Sequence, residues 1–291
     1  MKVSKAILTL AALVMVLAIA GTVGGILSQE PGSAVGARSV RGEDVELFGR
    51  GLYRNDPVFA GANFRAQDIV TLLIGVPLLA AALLWYRHGS LRGGLLLAGV
   101  FGYFLYEYAS MSFMAAFNSF FLVYVALMST SLYGLILTMS AAGHTLSDQR
   151  IRSSMPRRFV GWYLIAAGVI TTVVWLVPLV GAQLAGTIPD RLDHNTTMVT
   201  DALDLAVITP ACFIAGVLIL RRRSFGYVVS MPLLVTIVML VFLITGGTIS
   251  QIAEGIDFTP GEIAGPISGF AVLGLLGIVL LRRVLRSVEP R

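Results

Sequence analysis

An all-α bundle of about eight transmembrane helices is the fold class this sequence predicts, and three observations predict it. Of its 291 residues, 56% are hydrophobic and 13% charged, about half the charge a soluble domain carries. The apolar residues gather into runs near twenty residues long, the length that crosses a bilayer as a helix. Basic and acidic residues alternate from loop to loop, as they do across a membrane. A closed β-barrel would show ~10-residue segments of alternating character, and none is present.

Eight apolar segments can be marked, at about 6–27, 69–86, 93–113, 119–142, 159–181, 203–220, 225–247 and 265–281. The termini and the even-numbered loops hold 15 of the 21 basic residues, and the odd-numbered loops hold 13 of the 16 acids. The alternation holds at every crossing, so the positive-inside rule predicts cytoplasmic termini, acidic loops outside, and residence in a cytoplasmic (inner) membrane. Met1–Lys5 followed by an apolar run and small residues also fits a cleavable signal peptide. The run continues to about Leu27, longer than most signal cores, which favours a retained first helix. Arginine outnumbers lysine 19 to 2, the usage of a GC-rich bacterial genome.

The longest loop, 28–67, is expected outside. Its stretch Asp44-Val45-Glu46-Leu47-Phe48 to Leu52-Tyr53 fits either a short amphipathic helix on the membrane surface or an extended loop. The single cysteine, Cys212, lies in an apolar run and can form neither a CxxC centre nor an intrachain disulfide.

An internal echo links the two halves. Segment 2 reads Asp68-Ile69, then Pro77, then Arg87-His88-Gly89-Ser90, with Gly93 opening segment 3. Segment 6 reads Asp204-Leu205, then Pro210, then Arg221-Arg222-Arg223-Ser224, with Gly226 opening segment 7. The offset of about 134 residues, or four helices, predicts two parallel four-helix repeats about an axis along the membrane normal. Gly94, Ala98 and Gly102 form a row through which helix backbones can approach closely. Pro77, Pro178, Pro210 and Pro232 are expected to kink their helices.

Glu107 is the sharpest candidate for function. It is the one acid well inside an apolar segment, roughly 9 Å below the boundary at ~1.5 Å per residue, where a lone carboxylate is costly. Tyr103 and Met111, at i−4 and i+4, and Ser110, at i+3, share its face. Ten of the chain's 27 aromatic residues fall between Phe101 and Tyr124. Rings around a carboxylate suit an organic cation, although tyrosine and phenylalanine also enrich at membrane interfaces. Asp68, and Asp201 with Asp204, stand at the outer ends of segments 2 and 6. They read either as helix caps or as carboxylates paired across the repeat axis, drawing cations into an outer vestibule. Glu107 is expected to face the bundle interior and line a polar cavity open to the outside.

Other chemistries are weaker. His194 with Asp190, Asp193 and Asn195 could approach a metal, but no HxxxH or HExxH spacing fixes ligands, so no metal is expected. There is no Walker loop, no mid-membrane lysine for a Schiff base, and no nucleophile elbow around Ser268. The composition names neither a cofactor nor a catalytic residue. The expected partners are the lipid bilayer, a small-molecule or lipid ligand, and an oligomer or membrane complex. Nucleic acid is excluded, because the basic residues are confined to short loops. The reading that results is a transporter or channel for a small cationic or protonated solute. The alternatives are a membrane enzyme acting on a lipid or lipid-linked substrate at the outer leaflet, and a non-catalytic subunit or sensor.

Overall fold

Each apolar run becomes a helix in the computed structural model, which describes residues 1–28, 32–147, 151, 153, 155–189 and 192–288. The first crossing is α1 (Lys5–Leu27). The second is α2 (Val58–Val70), a π-helical turn (Thr71–Gly75) and α3 (Val76–Arg87). The third and fourth are α4 (Leu91–Met114) and α5 (Phe121–Thr145). The fifth is α6 (Arg157–Ala185). The sixth runs through α7 (Val199–Leu203), a second π turn (Asp204–Ile208) and α8 (Thr209–Leu220). The seventh is α9 (Phe225–Ala253), and the eighth is α10 (Pro260–Glu262), a third π turn (Ile263–Ile267) and α11 (Ser268–Ser287). The protein is therefore a multi-pass, all-α membrane bundle.

Seven of these crossings are long and apolar enough to span a membrane. The remaining crossing, α4, carries Arg92, Glu107, three tyrosines and two serines. It tolerates them because it is the enclosed spine of the bundle: nineteen of its residues, Leu91 to Ser112 with few gaps, are buried. The helices α3, α5 and α9 pack around it. A helix shielded by protein needs no lipid-compatible surface.

Two faces result. The termini, the α3–α4 turn and the α8–α9 turn share one: the Met1 ammonium donates to Gly89 O at 2.7 Å, and Arg92 Nε donates to Val288 O at 2.6 Å. The opposite face carries an antiparallel hairpin, β1 (Val35–Arg38) with β2 (Asp44–Leu47), Val35 opposite Leu47. Here Arg41 binds the backbone oxygens of Asp193 and Asn195, and Arg50 pairs with Glu254. The basic loops thus gather on the terminal face and the acidic ones on the hairpin face.

Several expectations change in detail. Within the stretch 44–53, Asp44–Leu47 forms a strand paired with β1 and the remainder is loop and turn, so the extended alternative holds and the surface helix does not. The second helix starts at Val58, eleven residues before the expected 69, so 58–67 is helix and not loop. The reason lies in Phe59, Ala60, Gly61, Ala62 and Phe64, which continue the apolar face past Arg65 and Gln67. Pro77 and Pro210 do not simply kink a helix. Each follows a π turn, whose wider backbone spacing absorbs the missing N–H and the ring.

The internal echo is structural, and its register is 133 residues. Pro77 and Pro210, Gly93 and Gly226, and Gly89 and Arg222 are each 133 apart. The two π turns start at Thr71 and Asp204, the same interval. A β-carbon at Gly93 would fall 2.6 Å from Tyr86 N, and one at Gly226 would fall 2.9 Å from Ile219 N, the corresponding atom. The packing between halves is reciprocal: α4 packs on α9, α2 packs on α9, and α7 packs on α4. In this register Asp68 corresponds to Asp201, and Thr71 to Asp204. The pairing of Asp68 with Asp204 read from sequence is displaced by one helical turn.

The halves differ in one respect. The first and fourth helices of the first half, α1 and α5, pack along their length. Their counterparts α6 and α11 meet at only a few points, among them Tyr163 Oη donating to Leu273 O at 2.7 Å and Trp175 stacked on Phe270. Toward the hairpin face α6 is bare, with Val177 and Leu184 exposed.

Candidate functional site

The first half builds a buried polar network from four elements. Asp68, on α2, is 2% exposed and accepts a 2.6 Å hydrogen bond at Oδ2 from Tyr53 Oη. Tyr53 follows the hairpin, and its hydroxyl lies 3.4 Å from that of Tyr124 on α5. Three residues beyond Asp68, the Thr71 hydroxyl opens the π turn and shares a 2.6 Å hydrogen bond with Tyr103 Oη on α4. Room for the Asp68 carboxylate comes from α1: a β-carbon on Gly25 would lie 1.8 Å from Oδ2. The side chains of Tyr103, Phe104, Tyr108 and Tyr124 then form a run of touching rings.

Glu107 sits in this network, 3% exposed, and Asp68, Tyr103 and Tyr108 are all within its electrostatic reach. Its Oε1 is buried with no hydrogen-bond partner. The preceding residue of α4, Tyr106, points to a different face of the helix and belongs to a second acid cluster. Its hydroxyl bonds Asp204, whose Oδ2 also accepts from Trp175 Nε1 at 2.7 Å. Asp201, one turn before Asp204, is buried beside it. The spine helix therefore touches the π turns of both halves, through Tyr103 to Thr71 and through Tyr106 to Asp204.

Glu107 faces the bundle interior, as expected, but it is enclosed rather than open to a vestibule. Of the residues that share its face, Tyr103 bonds Thr71, and the Ser110 hydroxyl turns back to Tyr106 O at 3.0 Å. Asp68 is not a helix cap, since its helix starts ten residues earlier. The structure brings Asp68 together with Glu107, and Asp204 together with Asp201. Buried Tyr53, Tyr103, Tyr108 and Tyr124 form an interior layer, whereas Phe113 and Phe117 stay exposed.

Sequence reasoning missed Tyr53, Thr71, Tyr106 and Trp175. Tyr53 lay in a loop of uncertain shape, and Thr71 is conspicuous only once the π turn is seen. The signal for Trp175 was its place in an apolar run opposite an acid-bearing helix. Among the described residues no three His, Cys, Asp or Glu side chains are grouped to hold a metal. Asp190, part of the histidine cluster, lies outside the described residues. The Ser268 hydroxyl donates to Ile263 O at 2.6 Å, inside its own helix.

No protein-family model, curated protein or solved structure matches this chain.

Proposed function

We propose that the protein carries a small cationic or protonated solute across the membrane, with Asp68 and Glu107 as the exchanging groups. Tyr103 and the Asp201–Asp204 pair are the corresponding elements on the spine and in the second half. The observation that carries this reading is the absence of a fixed counter-charge. The ion pairs Arg38–Asp44, Arg41–Glu43 and Arg50–Glu254 lie on the hairpin face and include none of Asp68, Glu107, Asp201 and Asp204. Asp68 is met by the Tyr53 hydroxyl, and Asp204 by the Tyr106 hydroxyl and the Trp175 indole. A carboxyl enclosed at membrane depth stays neutral by holding a proton or balances its charge with a bound cation. Acids so placed exchange whichever of these they hold when the site opens.

The π turns support a moving site. Each interrupts a crossing just before a proline, where the backbone ladder is already incomplete, so the hairpin-side half of the helix can shift against the other half. Asp68 and Asp201 ride on those hairpin-side halves, and Thr71 and Asp204 open the turns themselves.

Proteoliposomes loaded with a pH-sensitive dye test the reading. A cation gradient should drive proton movement, and Glu107→Gln should abolish it while leaving the unfolding temperature in detergent within a few degrees. Flux equal to the parent protein in Glu107→Gln would refute it.

One observation favours a second reading, an enzyme acting on a lipid or lipid-linked substrate. The helices α6 and α11 meet at few points, and one of them, Trp175 on Phe270, carries the indole that donates to Asp204. An amphiphile entering sideways would meet that carboxyl first. This reading predicts chemical turnover of bilayer lipid, lost in Asp204→Asn, with no solute flux.

A further inference from the structure

On the terminal face, a cleft of about 780 Å³ opens between the start of α6 and the end of α8, lined by Arg157, Arg158, Arg222, Phe159 and Leu220 with Ile151 and Met155 among its other walls. We infer that this cleft binds the phosphate headgroup of an anionic membrane lipid.

Three independent features converge on an anion. First, three guanidinium groups line one cleft, and Arg157 Nε is buried there with no hydrogen-bond partner. Second, α6 is 29 residues long and begins in the cleft without a side-chain cap and without an acid in its first turn. Its positive dipole end adds to the arginines.

Third, Arg222 has a left-handed backbone, with φ of 60°. It closes α8 as a left-handed cap, its N–H bonding Ile219 O at 3.0 Å while Arg223 N bonds Leu218 O at 2.9 Å. Glycine is the residue suited to that conformation, and the equivalent position of the first half, Gly89 with φ of 71°, is glycine. The second half places an arginine there against the backbone preference, and its side chain lines the cleft. A side chain kept at a strained position marks a requirement for the side chain.

The lipid source is set by the surroundings. The cleft is bounded by apolar side chains as well as charges, and Phe159, in its wall, is 53% exposed. Trp162, one turn further along α6, is exposed too. A phosphate diester with acyl chains satisfies both the guanidinium fork and the apolar wall, whereas free phosphate satisfies only the first.

Native mass spectrometry of the detergent-solubilised full chain, with phosphatidylglycerol or phosphatidylcholine added, tests the inference. Retention of the anionic lipid should exceed that of the zwitterionic lipid about tenfold, and R157Q/R158Q/R222Q should reduce the ratio to near one. Arg222→Gly provides a variant that folds at least as well. It relieves the left-handed strain, so its unfolding temperature should be unchanged or higher while the lipid preference falls about threefold or more. An unchanged preference in Arg222→Gly, or no preference in the parent protein, overturns the inference. Millimolar inorganic phosphate should not displace the lipid; full displacement would make the cleft a soluble-phosphate site and overturn the lipid assignment.

Discussion

Tyr53, in the loop after the hairpin, donates a 2.6 Å hydrogen bond to Asp68 in the second membrane crossing. The loop thereby reads the state of a buried acid. Tyr53→Phe keeps the ring packed on Phe64 but removes the donor. The buried carboxyl then loses a partner, and stability should fall by about 1–3 kcal/mol. Thermal unfolding in detergent checks this, and the cost should shrink when Asp68 is already Leu, since the two residues act as one pair.

Gly25→Ala should damage the same pair from the other side. The added methyl cannot share space with Asp68 Oδ2, so either α1 retreats or the carboxylate leaves Tyr53. The expected result is a loss at least as large as that of Tyr53→Phe, together with loss of solute flux. Wild-type stability in Gly25→Ala would show that α1 is not held against α2.

Asp56, just outside the second crossing, ties the loop to the end of α4: its Oδ1 accepts from Ala116 N at 2.7 Å, while Oδ2 is buried and unpartnered. Burial raises its carboxyl to about 7 against an ordinary 3.8, opposed in part by the Ala116 hydrogen bond. Between those values the folded state holds a proton that the unfolded chain has released. Stability contributed here is full below about pH 4, declines as pH rises, and levels off above about 7. Asp56→Asn should flatten that decline by a few kcal/mol, measured as unfolding temperature against pH.

Orientation is directly testable, because Cys212 is the sole cysteine and is buried. Val40→Cys, at the exposed tip of the hairpin, should react with a membrane-impermeant maleimide in intact cells. His88→Cys, on the terminal face, should react only after permeabilisation. The reverse pattern would invert the topology.

The crossings were legible because lipid imposes a one-dimensional rule, a run of apolar residues of fixed length, and the sequence obeys it in seven places. The interior was less legible. Glu107 announced itself because a carboxyl in a greasy run is conspicuous, yet its neighbours are set by how helices rotate, which periodicity leaves open. Pro77 and Pro210 were visible as irregularities, but whether a proline yields a kink or a π turn depends on packing several residues away. The repeat was visible through Gly93, Gly226 and the prolines. Its register was missed at the aspartates, because Asp68 and Asp204 look alike in sequence while Thr71 and Asp204 are the true counterparts. Tyr53 could not be placed at all, since only the folded hairpin carries it down to Asp68.

The enclosure of α4 has a consequence for how the protein is made. Segments partition from the insertion machinery into lipid according to their own apolarity, and α4, with its glycines, arginine, glutamate and tyrosines, is the poorest candidate of the eight. It follows α3 across a turn of three residues, and Gly93 lets the start of α4 lie against the backbone of Trp85 and Tyr86. The two helices are therefore suited to enter the bilayer as one hairpin, with the apolar α3 carrying its partner. Until α5 and α9 arrive, the polar flank of α4 stays uncovered. The assembly step that completes the fold is then the closing of the second half over a helix inserted long before.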